Sequence, residues 1–331
     1  MKHANISLFV PHMGCPHQCS FCNQKTISGS IKQLTPEDVF DTLNEAERHN
    51  NNPLNTEIAF FGGSFTAIPR DYMVSLLETA KPFVDKGAFG GIRISTRPDA
   101  IDEDVLSILK KYSVTAVELG AQSTDEAVLK LNKRGHTRND IFKASELVKN
   151  NGFSLGLQMM TGLLGDSFQK SLKTADDIVS IKPDTVRIYP TIVLEGTRLG
   201  ELYKKGEYVP QTTEEAVRLC SILSEKFYKN NIKVIRLGLH SGGNVEEGYL
   251  AGPYHPAFGE LCESDVYMNI AKEKLKEIKK GKVTIFVNPR EISKMTGQKG
   301  SNKEKLLREG YEVSVKGDDS LNKYEMIIHE R

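Results

Sequence analysis

The chain has 331 residues, 39% of them hydrophobic, and a formal net charge of +1, so it can bury one large α/β unit or two ordinary domains. Its longest apolar runs are strand-sized, as in "IAFFGG", and "MKHANISLFV" has neither the length nor the small-residue cleavage site of a secretion signal; a globular, cytoplasmic protein with no membrane partner is expected. Five cysteines, three clustered and two isolated at Cys220 and Cys262, do not make the even, spread pattern of a disulfide framework, and ligation is the better reading.

In chain order, short β-rich runs alternate with amphipathic helical stretches. Strands are predicted over 6–12, 57–63, 91–97, 116–123, 154–163 and 185–194, with helices between them near 36–49, 71–85, 102–112, 138–151 and 167–181. Helix starts are marked by "LTPED" and "AIDED", where Thr35 or an aspartate precedes first-turn carboxylates and Pro36 takes a first helical position. Repeated βα units with right-handed crossovers give a parallel sheet. Six of them suit a partial (β/α)6 TIM-like barrel of the α/β class better than a full eight-stranded one, because the alternation loosens after residue 194. A helix near 212–230 and a strand near 232–240 follow. The expected division is a barrel over 1–240, a Gly/Pro-rich connector over 241–271, and a C-terminal element over 272–331.

The charge is uneven. From Lys272 onward there are 15 basic and 10 acidic residues, leaving 29 and 33 in the rest. A surplus of this kind suits an anionic partner, although lysine-rich helices are often only solvated faces.

Cys15, Cys19 and Cys22 form C-x3-C-x2-C in the loop after the first strand. Structural zinc wants four ligands, and His12 or His17 would complete such a set, but no second cysteine pair follows. An iron–sulfur cluster is the other reading: three thiolates leave one iron open to a small molecule. The compact triplet favours the cluster. A further metal site from His240, His255 and Cys262 is not expected at such wide spacing, and Cys220 reads as a buried small hydrophobe.

"CPHQCSFC", with Phe21 directly before the last cysteine, resembles the signature of the radical S-adenosylmethionine (radical SAM) enzymes. The resemblance implies a [4Fe–4S] cluster on Cys15, Cys19 and Cys22, with S-adenosyl-L-methionine on the fourth iron. Reductive cleavage would then give a 5′-deoxyadenosyl radical that abstracts hydrogen from a substrate, with an electron donor such as a flavodoxin or ferredoxin. Further matches fall in order at the C-terminal strand ends, where βα barrels gather their reacting groups. "FFGGSF" is similar to the family's glycine motif for the SAM amine, placing Gly62, Gly63 and Ser64 there. Ser95, Gln122, Arg134 and Gln158 match SAM-contacting positions of the branch similar to oxygen-independent coproporphyrinogen oxidase, although Ser95 and Gln158 stand where carboxylates are common. Taken singly, each is an ordinary strand-end polar residue; their order is the argument. Arg187 and Tyr189, two apart on one strand, share a face and are candidates for a catalytic role toward the substrate.

"VELGAQSTDEAVLKLNKRGHT", "DTVRIYPTIVLEGTRLGELYKKGEY" and "AGPYHPAFGEL" resemble the radical SAM half of the Elongator catalytic subunit, a family that modifies the wobble uridine of transfer RNA. The likeness runs from about residue 5 to about 262, and the roughly 70 residues that follow leave no room for that family's acetyltransferase domain. Its carboxymethylation chemistry is therefore not carried over.

The tail has its own pattern. "KVTIFVNP" reads as a strand, "REISKMT" as a short helix, then "GQKG", the helical "SNKEKLLREG" and the strand "YEVSVKG". This order resembles a minimal KH module, whose GxxG loop presses backbone against the phosphates of single-stranded nucleic acid. Gly297, Gln298, Lys299 and Gly300 are then the nucleic-acid-binding residues, while a lone GxxG also marks a plain helix cap. Met295 and Thr296 depart from the usual residues before the loop and leave its packing open. The favoured reading is a radical SAM enzyme acting on RNA, foremost a transfer RNA. Radical chemistry on a small molecule such as a tetrapyrrole, and a non-catalytic iron–sulfur RNA-binding protein, are the alternatives.

Overall fold

A computed structural model describes residues 3–10, 18–23, 32–239 and 244–331. Its first part alternates as the sequence predicts: β1 (Ala4–Val10), α1 (Pro36–His49), β2 (Thr56–Gly62), α2 (Arg70–Asp85), β3 (Ile92–Thr96), α3 (Glu103–Lys111), β4 (Val114–Gln122), α4 (Glu126–Leu131), α5 (Arg138–Asn150), β5 (Ser154–Thr161), α6 (Phe168–Ile181) and β6 (Thr185–Pro190). The helices start where side chains satisfy free backbone donors. Thr35 and Asp38 form a reciprocal capping box, with Pro36 in the first turn, and Asp102 accepts from the Val105 amide at 2.7 Å.

The sheet is parallel in the order β1-β2-β3-β4-β5-β6-β8, and the strand expected near 232–240, β8 (Lys233–Leu237), joins the six of the βα units as a seventh. Its curl follows from one contact. β2 and β6 are four strands apart, about 19 Å on a flat sheet, yet the Arg187 guanidinium lies 5.3 Å from the Phe61 ring centroid. The result is a curled half-barrel. On its outer face Ile58, Phe60, Ile92, Ile94, Leu155 and Leu157 are buried in the helix-covered core. With Val117 and Leu119 of β4 and Val186 and Ile188 of β6 in the same core, the alternate residues of these strands, Glu57, Arg93, Glu118, Gln158, Arg187 and Tyr189, face the lumen. Apolar outside and polar inside is the pattern of a fold that keeps its chamber for a ligand.

Three expectations are corrected. The predicted strand 185–194 breaks after Pro190, and β7 (Val193–Leu194) leaves the sheet to pair antiparallel with β9 (Tyr249–Ala251). Between them lie α7 (Arg198–Lys204), α8 (Thr213–Lys229) and the short α9 (Asn244–Gly248). The supposed connector holds an 18-residue helix, α10 (Phe258–Leu275), so the boundary expected at 271/272 falls inside a helix. This helix has no single apolar stripe because it is buried from two sides: Phe258 and Cys262 belong to the barrel core, and Val266, Tyr267, Ala271 and Leu275 to the core of the tail.

The tail follows its predicted order, β10 (Gly281–Val287), α11 (Ile292–Thr296), α12 (Ser301–Arg308) and β11 (Tyr311–Gly317), and adds β12 (Ile327–Glu330). β10 pairs parallel with β11 and antiparallel with β12. Among the described residues no helix is long and apolar enough to cross a membrane.

Candidate active site

The cysteine loop is moored from several directions. Cys15, with His12 and His17, lies outside the described residues. Cys19 is buried and Cys22 half-buried, and the Cys22 amide donates to the Cys19 carbonyl at 3.2 Å. Between them Ser20 is fully buried: its hydroxyl donates to Asn132 Oδ1 at 2.6 Å, its amide to the Asn132 carbonyl, and its carbonyl accepts from the Leu199 amide. Asn132 in turn donates to Val128 and Leu164 carbonyls. Asn132 was not singled out from sequence, because only the fold brings it 112 positions back to the cysteine loop.

Arg134, in the loop after α4, reaches the same place. Its Nη1 donates to Cys19 Sγ at 3.1 Å and its Nη2 to the Gly120 carbonyl at 2.6 Å, while its buried Nε has no hydrogen-bond partner among the described residues. The Arg134 carbonyl accepts from Arg97 Nη2 at 2.5 Å, and Arg97 is held bidentately by Asp99. Nearby His136 is buried, and that burial, followed by the Arg134 charge, pushes its imidazole down to about 4.

The other predicted strand-end residues divide. At Gly62 φ is +117°, and a Cβ there would stand 2.5 Å from the Val10 carbonyl oxygen; the Gly63 amide donates to that same oxygen at 3.0 Å. Both glycines thus hold the end of β2 against the end of β1 and keep exposed backbone at the mouth of the half-barrel. Ser64 is turned away: its fully buried hydroxyl bonds Thr96 Oγ1 at 2.9 Å and accepts from the Arg97 amide, so it ties β2 to β3 and offers nothing to the lumen. Ser95 lies on the lumen face, paired in register with Glu118. Gln122, with φ of +65° beyond a bulge in β4, accepts from Gln158 Nε2 at 3.3 Å. A Cβ on Gly120 would stand 3.0 Å from Gln122 Nε2 and 3.4 Å from Arg134 Nη2. Gln122, Arg134 and Gln158 are therefore gathered, and the bare Gly120 backbone is what gives them room.

Deeper in the lumen, Arg187 is locked. It grips Glu118 through Nε and Nη2 at 2.7 and 2.8 Å, and Glu118 also takes Arg93 at 3.1 Å, which pairs with Glu57 at 2.7 Å. Burial opposes the Glu57 charge, but the Arg93 guanidinium holds the carboxyl below the usual carboxylate range. Glu118 crosses over β5 to reach Arg187 because residue 156 is glycine: a Cβ there would lie 2.8 Å from Glu118 Cγ. The Tyr189 phenol lies on the same strand face, and burial pushes its ionisation up. The candidate Arg187 is thus a wall element, and Tyr189 sits above it toward the strand ends.

In the tail, "GQKG" lies between α11 and α12. Gly297, Lys299 and Gly300 all have positive φ, and Gln298 and Lys299 are exposed. Met295, before the loop, is fully buried in the tail core, so the packing there is sound. Among the described residues no three His, Cys, Asp or Glu side chains gather as a further metal site; His255 Nδ1 accepts from the Ala257 amide, and Cys262 lies against Cys220.

The residues present fit a cluster with a ligand on its open iron. Cys19 and Cys22 share one short loop, a buried guanidinium donates to Cys19 Sγ and has one nitrogen to spare, and bare glycine backbone flanks the space. Comparison with known proteins agrees. The family described as the Radical SAM superfamily matches residues 9–178, and the Radical SAM C-terminal domain matches 183–268. A tRNA uridine(34) acetyltransferase of Methanocaldococcus infernus is 40% identical over 39% of this chain and 24% of its own length. Human Elongator complex protein 3 is 30% identical over 50% of this chain and 34% of its own length. The chain thus spans about a quarter to a third of these relatives. Among solved structures, that of archaeal M. infernus Elp3 with an N-terminal deletion superposes with a TM-score of 0.64 at 24% identity, covering 82% of this chain and 63% of that one.

Proposed function

The chain belongs to the radical SAM superfamily, a family of enzymes that use a [4Fe–4S] cluster and S-adenosylmethionine, and from that premise we propose that it modifies RNA, foremost a transfer RNA, by hydrogen abstraction. Cys15, Cys19 and Cys22 would hold the cluster. When bound, the cofactors supply an electron and a 5′-deoxyadenosyl radical. The chain does the rest. Arg134 donates to the Cys19 sulfur and keeps Nε for an anionic group beside it. Backbone at Gly62 and Gly63 receives the methionyl end, and Ser95, Gln122 and Gln158 offer polar groups to the nucleoside end. The Arg187–Glu118 pair under Phe61 closes the lumen floor and shields the reacting space from water. An electron donor such as a flavodoxin or ferredoxin would approach the cleft of about 310 Å³ bordered by Cys19, Lys133 and Arg198, where its acidic surface meets cations.

The observation that carries the RNA reading is the tail: an exposed Lys299 in a GxxG turn between two helices, over a buried Met295, on a sheet whose first two strands are parallel. Such a turn presents backbone amides to a phosphate. The names of the relatives support the same substrate class, but their acetyltransferase activity is not transferred to a chain that covers so little of them. Mass spectrometry of nucleosides from a deletion strain should show one modified nucleoside missing. An unchanged nucleoside profile with an accumulating small metabolite would replace RNA by a small-molecule substrate. In vitro, a Lys299→Asp/Gly300→Asp variant should bind bulk transfer RNA at least about tenfold more weakly, and equal affinity would remove the tail from RNA binding.

A further inference from the structure

The strands turn three arginines and two glutamates into the half-barrel, and the charges do not balance. Arg93 and Arg187 are paired with Glu57 and Glu118. Arg236, on β8 at the open edge of the sheet, has no carboxylate partner among the described residues. Its Nε donates to the Gly238 carbonyl at 2.9 Å, which fixes the plane of the guanidinium and leaves its two terminal nitrogens as a fork.

Arg236 is in the lumen because of an irregularity. Val186 pairs with Val234, but Arg187 pairs with Arg236, so Ile235 is an extra residue in β8. With regular alternation Arg236 would share the helix-facing side with Val234; the bulge turns it to the side of Arg187. Tyr189 stands with them. Its phenol is a donor as well as an acceptor and lies on the same strand face as Arg187, two residues further along. Arg236 is half-buried, and that burial lowers its proton affinity with only Tyr189 opposing and Arg187 adding to the effect. An odd arginine, re-aimed by a bulge beside a tyrosine, lacks an anion.

We propose that Arg236 and Tyr189 form an oxyanion site that takes a phosphate or carboxylate group of the substrate inside the half-barrel, beside the closed Arg187–Glu118 pair. The proposal rests on the reading of the half-barrel as the reaction chamber and is independent of whether the substrate is RNA.

The test is ligand binding to the anaerobically reconstituted full chain, by calorimetry and thermal shift at constant ionic strength. The probes are uridine 5′-monophosphate, uridine, inorganic phosphate, acetate and S-adenosylmethionine. Wild type should bind the monophosphate more tightly than uridine. Arg236→Gln should weaken monophosphate or acetate binding about tenfold and Arg236→Lys by less, because lysine keeps the charge without the fork. Tyr189→Phe should weaken it a few-fold. Preference for phosphate over acetate assigns the site to a phosphorylated substrate, and the reverse to a carboxylate. Equal anion affinity in wild type and the Arg236 and Tyr189 variants overturns the proposal, as does a loss confined to S-adenosylmethionine binding, which would make this a cofactor subsite. Should Arg236→Gln not fold, Arg236→Lys and Tyr189→Phe decide the matter. An unchanged nucleoside profile on deletion sinks the RNA reading and leaves this site standing; unchanged anion affinity sinks the site whatever the nucleosides show.

Discussion

At Gly62 two constraints coincide: a φ that side chains rarely adopt, and a carbonyl oxygen where a Cβ would stand. Gly62→Ala should cost about 2 kcal/mol from backbone strain and part the ends of β1 and β2 just where the cysteine loop leaves the sheet. Urea unfolding should show the loss together with less iron bound per chain, and wild-type values for both would refute it. His136 gives a second prediction, with a definite sign. Its imidazole is held down at about 4 against an ordinary 6.5, so it is neutral in both folded and unfolded states above that ordinary value and contributes nothing there. As the pH falls below it, the unfolded chain takes up a proton that the folded chain refuses, and stability is lost. Between pH 7.5 and 5.5 this amounts to about 1 kcal/mol, and His136→Asn should flatten the slope; an equal slope in both proteins would assign the pH dependence elsewhere. Such residues were only partly legible. Gln122, Arg134 and Gln158 are legible through the family resemblance of the strand ends and the loop that follow in order, whereas Ser64 matches the same pattern and is turned inward by Thr96. Arg97, Asn132 and Glu118 act through partners that only register brings near.

Elements carry the polar lumen. Glu118 reaches from β4 to β6 over β5 because Gly156 has no side chain. Gly156→Ala would push Glu118 off Arg187 and leave two buried charges poorly paired, costing about 3 kcal/mol. In a double-mutant cycle with Arg187→Met the two losses should be strongly non-additive, since both break one pair; simple additivity would mean that the glycine serves another purpose. The strands themselves were legible from their apolar alternation, and their helices from caps such as Thr35. α10 was not, because a helix buried on two sides shows no amphipathic period and its approach, "GPYHPAF", reads as a linker. The β8 bulge is invisible for a related reason: an extra residue in a strand has no signature until its neighbour fixes the register.

In the molecule as a whole, α10 makes the barrel and the tail one folding unit. Its first turns fill the barrel core and its last turns the tail core. The seam is also polar: Glu263 on α10 holds Lys294 at 2.8 Å and Lys323 at 2.6 Å, its carboxyl kept below the usual range against burial by those two cations, and Asn302 donates to Ser264. Tyr324 packs edge-on against Tyr228 of α8, and its amide donates to Tyr267 Oη at 2.8 Å, so it touches both layers. A tail that were a tethered accessory would melt separately; one that shares a helix with the barrel should not. Urea unfolding followed by circular dichroism and by tyrosine fluorescence should therefore give coincident single transitions. Ending the chain after Ile278, which strips the tail from α10 and bares Tyr267 and Leu275, should lower the midpoint of the barrel itself. Two resolved transitions, or a shortened chain with the wild-type midpoint, would show instead that the GQKG loop rides on an independent module and that its hold on a bound RNA is not mechanically joined to the reaction chamber.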